Sequence, residues 1–262
     1  KMKYAKKSLG QNFLIDKNVI RKIINLAQIE NKNILEIGPG KGALTEEILL
    51  RKPKSLIVVE KDKNLAIELR NKFSSNKLIK IFNNDILKFN LENVITKNLK
   101  VFGNLPYNIS SQILVKILKL NSLSSKIDDL IFMFQKELGE KIIGKFPSKN
   151  YGRLSIISGY KLNILEKFII SSNCFFPKPK VSSMIIHFKP KIKNLYKINK
   201  INNLEKITNL LFSNKRKMIN KNIKKILDQD KIKKISGLKI NLRPSDISPE
   251  IYYKITELFE KN

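Results

Sequence analysis

Over its first 189 residues the chain alternates short apolar runs with amphipathic stretches. Val19, Ile20, Ile23, Ile24 and Ala27 recur at helical spacing and predict a helix with one buried stripe. Ile34-Leu35-Glu36-Ile37 follows as a strand, closed by Gly38-Pro39-Gly40, and Ala43 to Leu50 reads as the next helix. The strand signal returns at Leu56 to Val59, Ile79 to Phe82, Leu99 to Phe102 and Leu130 to Phe134, with a helix around Asn64 to Lys72 after the first of these. Strands apolar on both faces and separated by helices imply a parallel sheet covered on each side, an α/β, doubly wound, mostly parallel domain. Phe168 to Ile170 and Met184 to Phe188 are β-rich with no long helix between them, which predicts an antiparallel hairpin at one sheet edge.

After Pro190 the pattern changes. Lys191 to Asn203 is polar and basic, and the remainder is helical in period with few strand signals. Residues 1–189 are therefore expected to form one domain and 190–262 a small all-helical one. Gly237 and Pro244 punctuate the second, and Ser248-Pro249-Glu250 predicts the start of its last helix. Across the chain 52 Lys plus Arg stand against 22 Asp plus Glu, a net charge of +30, which attracts a polyanion such as nucleic acid at long range. The second part holds 18 Lys plus Arg against 7 Asp plus Glu, so the charge is spread over both. Only six of the 52 are Arg, and Lys, Asn and Ile abound everywhere, a composition that AT-rich coding produces as readily as selection for phosphate binding. An anionic membrane is the competing partner, but no stretch sets a clean Lys/Arg face against Trp or Phe. No apolar run approaches the ~20 residues that span a bilayer, and the start of the chain lacks a signal peptide's apolar core. The expectation is a soluble chain with no membrane partner. With Cys174 as the only cysteine, no disulfide forms within it.

Candidate chemistry gathers where the strands end. Glycines in Gly38-Pro39-Gly40-Lys41-Gly42 permit positive φ and close approach of a ligand to the backbone. The third glycine of a dinucleotide fingerprint would stand at Ala43, however, and the Gly-Lys-Ser/Thr of a phosphate-cradling loop is absent. Glu60 closes the second strand 22 residues after Gly38, where a carboxylate accepts ribose hydroxyls. Asp85, ending Asn83-Asn84-Asp85 after the third, is placed to accept an adenine amino group. Each acid alone reads as a polar residue at a strand end. Together with the turn they describe a nucleoside pocket, and a cationic ligand would also suit two carboxylates. The fourth strand brings Asn104-Leu105-Pro106-Tyr107 to the same edge. Pro106 fixes its own φ and holds Leu105 extended, so the Asn104 side-chain oxygen and the Leu105 carbonyl make two acceptors for a planar NH2 group. Tyr107 adds a stacking face, worth ~1–3 kcal/mol for an unstacked base. Two acceptors and a ring describe the exocyclic amine of a base drawn out of its stack.

Taken together, Lys7-Ser8-Leu9-Gly10-Gln11-Asn12-Phe13-Leu14, the Gly38 turn, Glu60, Asp85, Gly103-Asn104-Leu105-Pro106-Tyr107-Asn108-Ile109-Ser110, Tyr151-Gly152-Arg153-Leu154 and Phe175-Phe176-Pro177-Lys178-Pro179-Lys180-Val181 resemble the ribosomal RNA adenine dimethyltransferases. Leu211 to Lys217 and Arg243-Pro244 are similar to the small-subunit rRNA branch rather than to the macrolide-resistance enzymes. The resemblance implies a class I S-adenosylmethionine-dependent methyltransferase with a seven-stranded sheet. It implies cofactor contacts at Asn12, Leu14, Gly38, Glu60, Asp85 and Asn104, and a catalytic set of Asn104, Leu105, Pro106 and Tyr107, with Phe175 facing the target base from the side opposite Tyr107. It implies as substrate two adjacent adenosines near the 3′ end of small-subunit rRNA, each dimethylated at N6 by a monomer acting on the assembling small ribosomal subunit. The implied location is cytoplasmic, with an organelle left open. Ser182-Ser183 replaces the usual Asp-Ser, Gln112 a common Pro and Gly159 a usual Gln; none is a position assigned to cofactor or amine. A large-subunit rRNA or DNA adenine methyltransferase, and a non-catalytic nucleic-acid factor on the same fold, are the alternatives.

Other conspicuous residues read as structural. His187, the only histidine, lies in a strand with no metal ligand or nucleophile pattern nearby, and Cys174 lacks a cationic neighbour. Lys215-Arg216-Lys217 is assigned to RNA backbone contact.

Overall fold

The computed structural model describes residues 11–261; the Lys7 to Gly10 part of the first motif lies outside them. In chain order the elements begin with β1 (Phe13–Leu14), α1 (Lys17–Ile24), β2 (Asn33–Ile37), α2 (Ala43–Leu50), β3 (Ser55–Glu60), α3 (Lys63–Lys72) and β4 (Ile79–Asn83). There follow β5 (Leu99–Asn104), α4 (Ser110–Leu118), α5 (Leu123–Lys126), β6 (Ile127–Gln135), α6 (Lys136–Ile142), α7 (Arg153–Lys161) and β7 (Leu162–Ile170). The last are β8 (Phe175–Phe176), β9 (Ser183–Pro190), α8 (Ile201–Phe212), α9 (Asn220–Ile223), α10 (Gln229–Lys233) and α11 (Pro249–Phe259).

Seven strands form one sheet in the order β4-β3-β2-β5-β6-β9-β7. From β4 to β6 every neighbour is parallel, and β9 joins β6 antiparallel with Ile131 opposite His187. The central strands are apolar on both faces because both are covered: Ile34, Val58, Phe102 and Ile131 on one face are buried in a cluster with residues of α1 and α2, and Leu35, Ile37, Val59 and Val101 on the other are buried as well. The chain steps outward from β2 to β3 to β4 and then returns to β5 on the other side of β2, so the strand order reverses between β2 and β5. Open α/β sheets bind ligands at that point. The predicted edge hairpin corresponds to β7 and β9, with β9 on the inner side.

Two features had no sequence signal. β1 and β8 form a separate antiparallel ladder, Phe13 opposite Phe176 and Leu14 opposite Phe175; two-residue strands are too short to show a period. The contacts also divide the chain differently from a single cut after residue 189. One compact unit comprises residues up to Gly139 with Asn163–Pro190, and the other comprises Glu140–Leu162 with residues 191–261. α7 belongs to the second unit.

Within that second unit Tyr151 donates to the Ile247 carbonyl at 2.7 Å and Tyr253 to the Ile156 carbonyl at 2.8 Å, tying residues 140–162 to the C-terminal helices. Ser248 precedes α11 as expected, but its hydroxyl makes no capping bond; Pro249 opens the helix instead. Lys215, Arg216 and Lys217 are exposed in a turn between α8 and α9 rather than on a helix face. Glu260 accepts from Asn199 N at 2.6 Å, Lys200 N at 3.0 Å and Asn203 Nδ2 at 2.8 Å. Partial burial pushes its carboxyl up, but these donors outweigh it and hold the group below its ordinary value near 4.5. A folded-state pKa below the unfolded one contributes stability that is present above pH 4.5 and lost as pH falls through the folded value. Glu260→Gln should therefore flatten the acid side of the pH–stability curve below pH 5, measured by thermal melts, with little change in shape above pH 6.

Among the described residues no group of three His, Cys, Asp or Glu is arranged to hold a metal, and no helix is long and apolar enough to cross a membrane. His187 Nε2 lies 2.7 Å from Asp129 Oδ1, and Asp129 Oδ2 also binds Lys100 Nζ, so the histidine joins a buried hydrogen-bond network across β5, β6 and β9. The Cys174 thiol is pushed up by burial and by Asp16, away from the reactive thiolate.

Candidate active site

The carboxyl ends of β2, β3, β4 and β5 open into a cleft. It is lined by Asn12, Leu14, Gly38, Glu60, Asp85 and Asn104, together with Leu105, Pro106 and Tyr107. Nine of the ten predicted site residues thus come together, from five separate stretches of chain.

The turn after β2 is held by β3. Gly38 N donates to the Val59 carbonyl at 3.0 Å, and Gly40 N donates to Glu60 Oε2 at 3.2 Å. Gly38 and Gly40 have φ of +67° and +58°, which an L side chain adopts only under strain. A Cβ on Gly40 would also sit 2.9 Å from the Phe13 ring, so β1 lies directly on the turn. Gly40→Ala should push Phe13 and its strand off the turn and weaken nucleoside binding about tenfold, the ~1–3 kcal/mol scale of such backbone strain, read by calorimetry.

Glu60 is buried, and its Oε1 accepts Asp62 N at 2.8 Å. Burial raises its pKa against these backbone donors. Asp85 Oδ1 accepts Leu87 N at 3.0 Å, while Oδ2 pairs with Lys61 Nζ at 2.8 Å. The Lys61 hydrogen bond is the main reason its pKa is lowered, so Asp85 is an anion at neutral pH.

At the end of β5 the Asn104 amide is oriented by its partner. Nδ2 donates to the Asn12 carbonyl at 3.0 Å; a carbonyl cannot donate, so the flipped amide would set two acceptors face to face. Oδ1 is thereby left as the acceptor. Tyr107 is held by a hydrogen bond between its hydroxyl and Ser183 Oγ on β9, and burial raises its pKa, keeping the ring neutral. Ile109 N donates to the Pro106 carbonyl at 3.1 Å, turning the chain into α4.

Phe175 is the predicted residue that the structure does not bring to the cleft. Its ring is 3% exposed, packed in the core opposite Leu14, whereas Phe176 beside it is 47% exposed. Strand alternation explains this: neighbours on β8 point to opposite faces. Conversely, Glu36 and Lys61 line the cleft without having been singled out from sequence. The available signal for Glu36 was a lone acid in the apolar run Ile34 to Ile37. For Lys61 there was none.

The set of polar groups fits a nucleoside that carries positive charge: acidic side chains at three strand ends, five side-chain amides, and apolar walls from Leu14, Ile37, Leu65 and Ile86. The family model for ribosomal RNA adenine dimethylase matches residues 2–261. The protein called ribosomal RNA small subunit methyltransferase A from Pelagibacter ubique (strain HTCC1062) is 48% identical over 258 residues, covering 98% of this chain and 97% of its own. The protein of that name from Francisella tularensis subsp. novicida (strain U112) is 44% identical over 250 residues, covering 93% of each. Among solved structures, a dimethyladenosine transferase from Plasmodium falciparum superposes with a TM-score of 0.75 at 22% identity, covering 95% of this chain and 98% of its own. The 23S rRNA methyltransferase ErmE does so with 0.70 at 24%, covering 95% and 100%; both speak to the fold alone. The family match spans nearly the whole chain and the relatives align end to end with it, so this chain belongs to the ribosomal RNA adenine dimethylase family.

Proposed function

We propose that this chain dimethylates adenosine at N6 in small-subunit ribosomal RNA, using S-adenosylmethionine, at two adjacent adenosines near the 3′ end. It acts as a cytoplasmic monomer on the assembling subunit. The observation that carries the reading is the Asn104 amide, held by the Asn12 carbonyl so that Oδ1 is left as an acceptor beside Tyr107. The cofactor is held by Glu60 at the ribose, Asp85 at the adenine amine, and Asn12, Leu14, Gly38 and Asn104 around the remainder. When bound, it supplies a methyl group on a sulfonium, an electrophile that needs no acid.

The protein's task is on the nucleophile's side. An adenine amine is a poor nucleophile because its lone pair is delocalised into the ring. Accepting its two N–H bonds at Asn104 Oδ1 and the Leu105 carbonyl favours a pyramidal nitrogen with its lone pair directed at the incoming methyl. Pro106 fixes the direction of the Leu105 carbonyl, and the Tyr107 ring, tethered by Ser183, supports the base. Catalysis is orientation and electrostatics, with no general base. Phe175 takes the other face of the base in this reading, which requires base entry to part its ring from Leu14. The exposed Lys215-Arg216-Lys217 turn, in the helical unit, contacts RNA phosphates. Methyl transfer measured side by side on purified small subunits, free large-subunit rRNA and duplex DNA tests the substrate. Transfer confined to small subunits is expected, and equal transfer to any other would overturn it.

A further inference from the structure

Glu36 has no part in that scheme, yet its surroundings single it out. It lies within β2, 1% exposed, and lines the cleft. From α2, Thr45 Oγ1 donates to its Oε2 at 2.6 Å. β3 presents Glu60, a like charge, and β5 places Phe102 opposite it in the ladder. The two lysines lining the cleft are engaged elsewhere: Lys41 lies over the Phe13 ring at 5.0 Å, and Lys61 pairs with Asp85 at 2.8 Å. Among the described residues Glu36 thus has one hydroxyl partner and no cation, and a carboxyl buried in that way favours its neutral form. Its pKa is pushed up to about 8, by burial first and by Glu60, with Thr45 pulling the other way.

We propose that Glu36 is a proton-coupled counter-ion that lets the cleft distinguish a cationic methyl donor from its neutral demethylated product. With a sulfonium in the cleft, the Glu36 O–H bond breaks, its electron pair stays on the carboxylate, and the proton passes to solvent. With the thioether in place the carboxyl titrates as it does in the empty cleft, keeping its proton only below that pKa. This rests on the reading that S-adenosylmethionine is the donor.

The sign follows from linkage. Donor binding requires the ionised carboxyl, so below the pKa of Glu36 the ratio of donor to product affinity rises with pH, approaching tenfold per unit, and levels off above it. The test is calorimetric titration of the full chain with S-adenosylmethionine and S-adenosylhomocysteine from pH 6 to pH 9, in two buffers of different ionisation enthalpy. The sulfonium acidifies the donor's amino group relative to the product's, so the ratio is read against Glu36→Gln, in which the ligands' own titrations are unchanged. The expected result is a ratio that rises at least tenfold between pH 6 and pH 8, with the donor releasing up to one proton more than the product. Glu36→Gln, neutral and isosteric, should abolish the rise. Thr45→Val, which removes the hydroxyl that favours the anion, should move the rise to higher pH. A wild-type ratio constant within twofold, equal proton release by both ligands, or a rise that survives Glu36→Gln would overturn the proposal. Failure of both ligands to bind the wild-type chain would instead sink the donor reading, and this inference with it.

Discussion

Asn104→Ala should lower the rate of methyl transfer by about 10²–10³-fold while the chain still binds cofactor. That range is what removing one preorganised polar group from a reacting centre costs in other enzymes. Two losses combine. Oδ1 disappears as an acceptor for the target amine, and Nδ2 no longer ties the end of β5 to the Asn12 carbonyl. Cofactor affinity should fall less, by up to about tenfold, because Glu60 and Asp85 lie at other strand ends and keep their partners. Asn104→Asp sharpens the point. A carboxylate could still accept from an amine, but it would face the Asn12 carbonyl acceptor to acceptor, so it should be nearly as slow as the alanine variant. Near-normal transfer by Asn104→Ala would show that the amide does not bind the amine.

Tyr252→Ala should destabilise the helical unit by about 3–5 kcal/mol, the usual cost of removing a large buried ring. Tyr252 is fully buried, stacks on Phe212 with ring centroids 5.7 Å apart, and donates to the Pro244 carbonyl at 2.7 Å. Tyr252→Phe keeps the ring and orphans only that carbonyl, so it should cost about 1–3 kcal/mol. The lining of the cleft comes from the other unit. The alanine variant should accordingly lose affinity for the small subunit while calorimetry with cofactor changes little. Equal loss of both would contradict a division of labour between nucleoside binding in one unit and RNA docking in the other.

Much of this arrangement is legible in sequence for physical reasons. Strands buried on both faces appear as largely apolar runs, so β2, β3, β5 and β6 stand out, and α2 is found at its observed bounds. Open α/β sheets place chemistry at carboxyl ends, so Glu60, Asp85 and Asn104 could be assembled without coordinates. Features that depend on distant partners were silent. The Asn12 carbonyl that orients Asn104 is a backbone group 92 residues away, and any residue type would supply it. The raised pKa of Glu36 comes from burial and from the nearby Glu60, neither of which a local sequence pattern encodes. The motif assigns Phe175 to the base, and no local signal shows that its ring packs in the core, so that base entry has to part it from Leu14. The grouping of residues 140–162 with the C-terminal helices depends on hydrogen bonds such as that of Tyr151 to Ile247, which no local period encodes.

The most direct test of the central claim is mass mapping of small-subunit rRNA after assembling subunits lacking the modification are treated with this protein and S-adenosylmethionine. The predicted result is N6,N6-dimethyladenosine at two adjacent adenosines near the 3′ end, absent when Asn104→Ala is used. Methylation elsewhere in the RNA, or at those adenosines with the variant as fully as with the wild type, would contradict the account.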